Sequence, residues 1–402
     1  MVLYEYMSEF KFIDLFCGIG GFHQALKSLG GECVFACDVD TRAMAVYEKN
    51  YGIKVHRDIT TIDEKGLPDF DFLCGGFPCQ PFSKCGKRGG FNDTRGTLFF
   101  DILRILKEKK PKYILLENVA NLVHHDDGNT FKVIISNLKD IGYQVSEKPL
   151  FFSPDKNGTP QHRNRIFILG IYNPGNSESL SIKIPMMVLT KNIYDYLDIN
   201  NNDISLRLNP RVEDTINAWD EFFQYYLKNP DGPRNFFLEC VYDHYPLKLR
   251  QRSYKSANMK YYLMHKVFID GWVTKYNMLD KPITHQHWLF HHKPQVKSLW
   301  ECIIQPRANG FIYTQLGICP TLVKSGIPPI IGRYRRHMSA EEYCKLQDFP
   351  SDFIPDTNPK NTYKQMGNAV NVNVIKTLAS TLLNTELSVV NDSISEFIEF
   401  PS

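Results

Sequence analysis

Cys79 has the plainest means of forming a covalent bond in this 402-residue chain. It stands in Gly75-Gly-Phe-Pro-Cys-Gln-Pro-Phe-Ser83, flanked by two prolines and shortly after the apolar run Phe70–Cys74. Such a run reads as a strand, and loops at the C-terminal edge of a sheet are where α/β proteins bind ligands. A thiolate there is a candidate nucleophile; the alternative is a structural thiol. A second group ends the apolar stretch Ile114-Leu-Leu-Glu117. Partial burial would raise the pKa of Glu117 and let it act as an acid near neutral pH; the alternative is an ion pair with an arginine. Gln161-His-Arg-Asn-Arg-Ile166 supplies Arg163 and Arg165 two apart, which places both on one face of a strand start. They could hold a phosphate, a carbonyl oxygen or Glu117, or form a structural ion pair.

Phe16-Cys-Gly-Ile-Gly-Gly21 follows a strand and opens a helix. Gly18 and Gly20 let a ligand approach the backbone, and the helix start offers free N–H groups. Asp38 ends the next strand, where a carboxylate can accept both hydroxyls of a ribose. Together these features point to a nucleoside cofactor; a tight turn without ligand is the rival. The spacing lacks the third glycine of the dinucleotide fingerprint, which disfavours NAD. Asp58 ends a third short segment and could accept from an adenine amino group, or serve as a turn residue. Between Ser83 and Leu98, four glycines with Lys84, Lys87, Arg88 and Arg95 form a basic loop able to close over a phosphate-bearing substrate.

The elements that must position these residues alternate. Strands are expected at Lys11–Phe16, Glu32–Cys37, Phe70–Cys74, Tyr113–Glu117 and Arg165–Ile171, with helices at Phe22–Leu29, Thr41–Asn50, Thr97–Glu108 and Thr130–Ile141. That alternation implies an α/β domain with a largely parallel sheet. After Ile171 the pattern breaks, and regularity returns near Arg335. Ser339-Ala-Glu-Glu342 fits a capping box opening a helix through Leu346, and Val370–Leu383 reads as another helix. The acidic tail from Thr385 is expected to be peripheral.

Composition excludes other classes. With 43% hydrophobic and 23% charged residues, the chain is neither collagen-like, coiled-coil nor wholly disordered. No run of 18 apolar residues predicts a membrane span, and no signal peptide is evident. The ten cysteines form no CxxC pair and read as reduced thiols. The net charge is +3, but residues 185–334 carry 18 basic and 13 acidic residues while the remainder is slightly acidic. A mildly basic segment is compatible with a polyanion partner. Its Arg250, Arg252, Lys255, Lys260, Arg307 and Lys324 are candidate phosphate or base contacts. His285-Gln-His-Trp-Leu-Phe-His-His292 has no cysteine pair beside it, and no metal is expected.

Phe12–Gly21, Gly76–Ser83, Glu117-Asn-Val119, Gln161–Arg165 and Gly367-Asn-Ala-Val370, in that order, closely resemble the motifs of the DNA (cytosine-5) methyltransferases, especially the single-chain enzymes of bacterial restriction-modification systems. The resemblance covers residues 11–171 and about 335–384. It implies a class I S-adenosylmethionine-dependent methyltransferase fold, Rossmann-like and discontinuous: residues 1–184 and 334–402 form the catalytic and cofactor-binding domain, with a target-recognition domain at 185–333 inserted. By this resemblance Cys79 attacks C6 of a flipped-out cytosine, Glu117 holds N3 and the exocyclic amine, Arg165 holds O2, and Arg163 supports the loop or a phosphate. Phe16, Gly18, Gly20, Asp38, Asp58, Asn368 and Val370 would bind S-adenosylmethionine, and Pro78, Gln80 and Ser83 would lie near the flipped base. Val39 stands where the family often has a bulky aromatic. The implied partner is double-stranded DNA, with a separately encoded cognate restriction endonuclease; a cytoplasmic prokaryotic monomer is expected, with no membrane association and no N-terminal regulatory domain. Two alternatives are a transfer RNA cytosine-5 methyltransferase and an inactive DNA-binding relative.

Overall fold

The structure, a computed structural model, describes residues 9–78, 98–176, 178–233, 235–242, 255–289, 296–307, 310–314, 317–323 and 327–395. The chain divides into two units, one of residues up to 159, 163–190 and from 344 onward, the other of 160–162 and 191–343.

In the first unit, β1 (Phe10–Leu15), α1 (Gly21–Lys27), β2 (Gly31–Cys37), α2 (Thr41–Tyr51), β3 (Phe72–Gly76), α3 (Leu98–Lys109), β4 (Tyr113–Val119) and α4 (Asn129–Asp140) alternate as the apolar periods predict. Local chemistry sets their ends. The Asp40 side chain accepts from the N–H groups of Arg42 and Ala43 to start α2, and Gly52 closes it with a left-handed backbone. β5 (Tyr143–Val145), β6 (Leu150–Phe152) and β7 (Arg165–Tyr172) follow, and the sheet order is β2-β1-β3-β4-β7-β5, with β6 on β7.

Only the β2-β1-β3-β4 half is parallel. β7 runs antiparallel to β4, β5 and β6, so the sheet is mixed where a largely parallel one was expected. Only the 3-10 turn Pro154–Lys156, and no α-helix, intervenes among β5, β6 and β7, and without a long crossover a chain returns antiparallel. Leu73, Ile102, Leu106, Ile114, Leu116, Ile134 and Leu138 are buried in the core that joins sheet and helices. Each contributes roughly 1.5–3 kcal/mol by leaving water.

The second unit holds α5 (Pro210–Lys228), β8 (Asn235–Phe237), α6 (Lys255–Met264), α7 (Lys266–Lys275), β9 (His287–Leu289), β10 (Ile303–Arg307), β11 (Gly310–Thr314), β12 (Ile330–Ile331) and β13 (Arg336–His337). Its six described strands pair in the order β13-β12-β10-β11-β9-β8. The core is aromatic: Trp219, Phe222, Trp272 and Trp288 are packed against one another, and the indole N–H groups of Trp219 and Trp272 donate to the carbonyls of His285 and Ala218. The unit runs from 191 to 343, where 185 to 333 was expected. β12 and β13 join its sheet, and the buried Arg336–Glu342 ion pair ties the following residues to it.

α8 (Ala340–Leu346) opens with the expected capping box. The Ser339 N–H donates to Glu342 at 2.7 Å and the Glu342 N–H to the Ser339 hydroxyl at 3.2 Å. α9 (Pro359–Asn368) and α10 (Val372–Ser395) complete the first unit. α10 starts two residues later and runs farther than expected, to Ser395, and it packs against α1. No described helix is long and apolar enough to cross a membrane.

Candidate active site

A cleft of about 390 Å³ opens at the C-terminal ends of β1, β2, β3 and β4, within the roughly 300–1,000 Å³ of small-molecule sites. Phe16, Gly18, Asp38, Asp58, Pro78, Glu117, Asn368 and Val370, all singled out in the sequence, line it together. Asp38 is anchored by two backbone donors, the Gly18 N–H at 2.7 Å and the Asp40 N–H at 2.8 Å. Burial pushes its carboxyl pKa up, against the pull of those bonds. Asp58 accepts from the backbone N–H and hydroxyl of Thr60 through Oδ1, and these bonds hold its pKa down. Its Oδ2 has no hydrogen-bond partner among the described residues. Space stays open above Gly18, so backbone, two carboxylates and an apolar wall are arranged to receive a nucleoside with a ribose diol.

Gly20 does not line this cleft. At φ +89° it caps α1, and a Cβ there would fall 2.2 Å from the Tyr51 ring. Its glycine is needed for the turn beneath the loop. Tyr51 donates from its hydroxyl toward the carbonyls of Ile19 and Gly20 and stacks on His23 at 3.8 Å. His23 in turn shares a 2.8 Å hydrogen bond with the Tyr47 hydroxyl. Burial lowers the His23 pKa to about 3 and pushes that of the fully buried Asp14 well up. Sequence reasoning missed this polar support, although Asp14 lies inside the Phe12–Gly21 stretch itself. A carboxylate at an inward position of an apolar strand was the available signal.

At the chemical end, Glu117 sits on the cleft wall and on a small cavity that it shares with Arg163 and Arg165. Arg165 Nε lies 3.0 Å from Glu117 Oε1. Burial raises the Glu117 pKa, while Arg165 and then Arg163 pull it back. Gly76 leaves room for this carboxylate, since a Cβ there would stand 3.2 Å from Oε2. The buried Asn118 donates from its side chain to the Phe77 carbonyl at 2.8 Å, tying the end of β4 to the segment that leads through Pro78.

Arg163 and Arg165 both border the small cavity beside Glu117, but they differ in their other partners. Arg163 precedes β7, so strand alternation does not govern it. Its buried guanidinium donates from Nη2 to the carbonyls of Gly367 at 3.0 Å, Asn368 at 3.4 Å and Ala369 at 2.9 Å. Arg163 thus holds the chain that supplies Asn368 and Val370 to the cleft. Cys79, Gln80, Ser83 and the basic loop lie outside the described residues, as do Arg250, Arg252 and Lys324. In the second unit Lys255 and Lys260 are exposed, whereas Arg307 donates to the Thr321 carbonyl at 3.2 Å. His285 shares a hydrogen bond with Thr215, and His287 packs edge-on to Phe237.

Comparison with known proteins identifies this arrangement. The family model for C-5 cytosine-specific DNA methylase matches residues 10–384. The type II methyltransferase M.HpaII of Haemophilus parainfluenzae is 32% identical over 385 residues, covering 93% of this chain and 89% of the relative. M.HaeII of Haemophilus aegyptius is 33% identical over 380 residues, covering 94% of each. M.HhaI of Haemophilus parahaemolyticus is 42% identical over 217 residues, covering 52% of this chain and 65% of its own. Among solved structures, the Dnmt2 methyltransferase of S. pombe superposes with a TM-score of 0.51 at 19% identity, covering 94% of this chain and 99% of its own. At this identity the likeness speaks for the fold, an α/β class I methyltransferase fold. The motif residues gathered round one cleft and the family match over nearly the whole chain lead to one conclusion: this chain belongs to the C-5 cytosine-specific DNA methylases and is a DNA (cytosine-5) methyltransferase.

Proposed function

We propose that the enzyme takes its methyl group from S-adenosylmethionine, accepts a cytosine flipped out of double-stranded DNA, and works through a covalent bond from Cys79 to C6 of that base. The observation that carries this reading is Glu117: a carboxyl with a raised pKa, braced by Arg165, on the wall of a nucleoside-shaped cleft and beside the segment that enters Cys79. The cleft residues fit the cofactor. Asp38 would take the ribose hydroxyls, Asp58 the adenine amino group, and Phe16, Asn368 and Val370 the remaining walls. When bound, S-adenosylmethionine supplies an electrophilic methyl group.

Cytosine C5 is a weak nucleophile. Addition of the Cys79 thiolate to C6 moves the 5,6 double-bond electrons onto C5, N3 and O2. Glu117, in its protonated form, donates to N3 and accepts from the exocyclic amine, which stabilises that charge. Arg165 orients Glu117 and donates to O2. Once C5 carries the methyl group, loss of its proton and departure of Cys79 restore the ring. Burial of Glu117 matters here because it shifts the carboxyl toward its protonated form, against the pull of Arg165 and Arg163.

The unit at 191–343 is the proposed reader of the target sequence, approaching the major groove, where base edges differ. Its surplus of basic residues supports that role. The type II methyltransferase names of the relatives support a place in a restriction-modification system; a separately encoded endonuclease and action as a monomer on cytoplasmic DNA belong to the same proposal. The test is transfer of labelled methyl to unmethylated genomic DNA and to transfer RNA, with 5-methylcytosine mapped at base resolution. Label in DNA within one short sequence is expected, and Cys79→Ser should reduce it to background without loss of the fold. Label confined to RNA, or a Cys79→Ser protein that retains most of its activity, would overturn the reading.

A further inference from the structure

A second groove, of about 830 Å³, lies beside the cofactor cleft on the outer side of β2, and the two share Val39 and Asp58. Its lining is mixed: Phe35, Met44 and Val55 supply apolar surface, with His56 tilted against Phe35 at 5.8 Å between ring centroids, and Glu48 and Lys54 add opposite charges. Arg57 stands on its rim and is exposed. Val39, which separates the two spaces, is 68% exposed and too small to cover the passage. By the cofactor reading, Asp38 would hold the ribose end of a nucleoside and the base would extend toward Asp58, whose Oδ2 has no hydrogen-bond partner among the described residues and which lines both spaces.

We infer that the adenine pocket is open at its amino edge, and that the groove over Phe35 accepts an apolar or aromatic substituent on the adenine N6 of a cofactor or cofactor product, with Val39 as the residue that sets this tolerance. The inference rests on the cofactor reading above. An N6-alkylated adenine keeps one N–H, which Asp58 Oδ2 can still accept. The substituent leaves water for the apolar part of the lining, and a phenyl group there can stack on Phe35 with Arg57 over its face. A bulky aromatic at position 39 would close the passage and press on the adenine face instead.

The test is calorimetric titration of the full-length protein with S-adenosylhomocysteine and with its N6-benzyl derivative, repeated on Val39→Trp. Wild type is expected to bind the two within about fivefold of each other. Val39→Trp is expected to bind the parent about 2- to 12-fold more tightly through added stacking, and to weaken the benzyl compound at least tenfold relative to the parent. Wild type that binds the parent but excludes the benzyl compound overturns the open edge. A ratio unchanged in Val39→Trp, with the parent still bound, overturns the role of Val39. Failure of the parent itself to bind wild type overturns the cofactor reading and this inference with it.

Discussion

Arg163→Met separates two roles for one arginine. The guanidinium is buried, and Nη2 reaches three backbone carbonyls at 2.9–3.4 Å. Ala369 keeps a second donor, the Gln347 side chain at 3.1 Å, so its loss is small. The Gly367 carbonyl loses a 3.0 Å charge-assisted bond, worth roughly 1.5–3 kcal/mol, and Asn368 a longer, weaker one. Removing a charge that burial already disfavours returns part of this. The net expectation is a loss of about 2–3 kcal/mol in unfolding free energy, read by denaturant titration. Because the same carbonyls belong to the segment that brings Asn368 and Val370 to the cleft, S-adenosylhomocysteine should bind about tenfold more weakly. Arg163→Lys should fall between, since one ammonium cannot span three carbonyls. An Arg163→Met protein as stable as wild type, with unchanged cofactor affinity but no methyl transfer, would refute the reasoning and place Arg163 on the substrate.

Three other outcomes are expected. Gly20→Ala combines a left-handed backbone with a Cβ inside the Tyr51 ring and should cost roughly 2–4 kcal/mol; a denaturation midpoint equal to wild type would contradict the placement of Tyr51. His23 binds a proton only below about pH 3 in the fold but near 6.5 when unfolded, so its contribution is complete above pH 6.5 and lost as pH falls. Between pH 7 and 5, wild type should therefore lose about 1–2 kcal/mol more than His23→Gln, while the opposite effect of Asp14 is present in both proteins. Asp38→Asn turns one of two acceptors of backbone N–H groups into a donor and should raise the S-adenosylhomocysteine Kd about 10- to 100-fold; equal affinities by calorimetry would remove Asp38 from the site.

What the sequence made legible was chemistry at strand ends. Gly18, Asp38 and Glu117 each follow a short apolar run, and that local pattern carries them to one sheet edge, where Asp58 joins them from the polar stretch Lys54–Arg57. What it concealed depended on distant partners. The i, i+2 spacing brought Arg163 and Arg165 together beside Glu117, but it could not show the carbonyls that Arg163 also holds, which lie 204 to 206 residues away. The direction of β7 was hidden for a similar reason, since nothing within Arg165–Tyr172 states which way its neighbour runs. In the second unit the described strands are two to five residues long, too short for a period to emerge, although the nineteen-residue α5 with Asn209 as cap was readable and went unread.

The cofactor cleft is walled by Gly18 and by Val370, which are separated by about 350 residues of chain. At typical rates of synthesis, about 20–70 s pass on the ribosome between the two. A nascent or prematurely terminated chain that lacks the α9–α10 region therefore exposes the Gly-rich loop but lacks the wall that completes it, because Val370 meets Gly21 and α10 covers α1. On the proposed cofactor reading, the capacity to methylate is expected only once this last region is made, and fragments released before it are expected to transfer no methyl group.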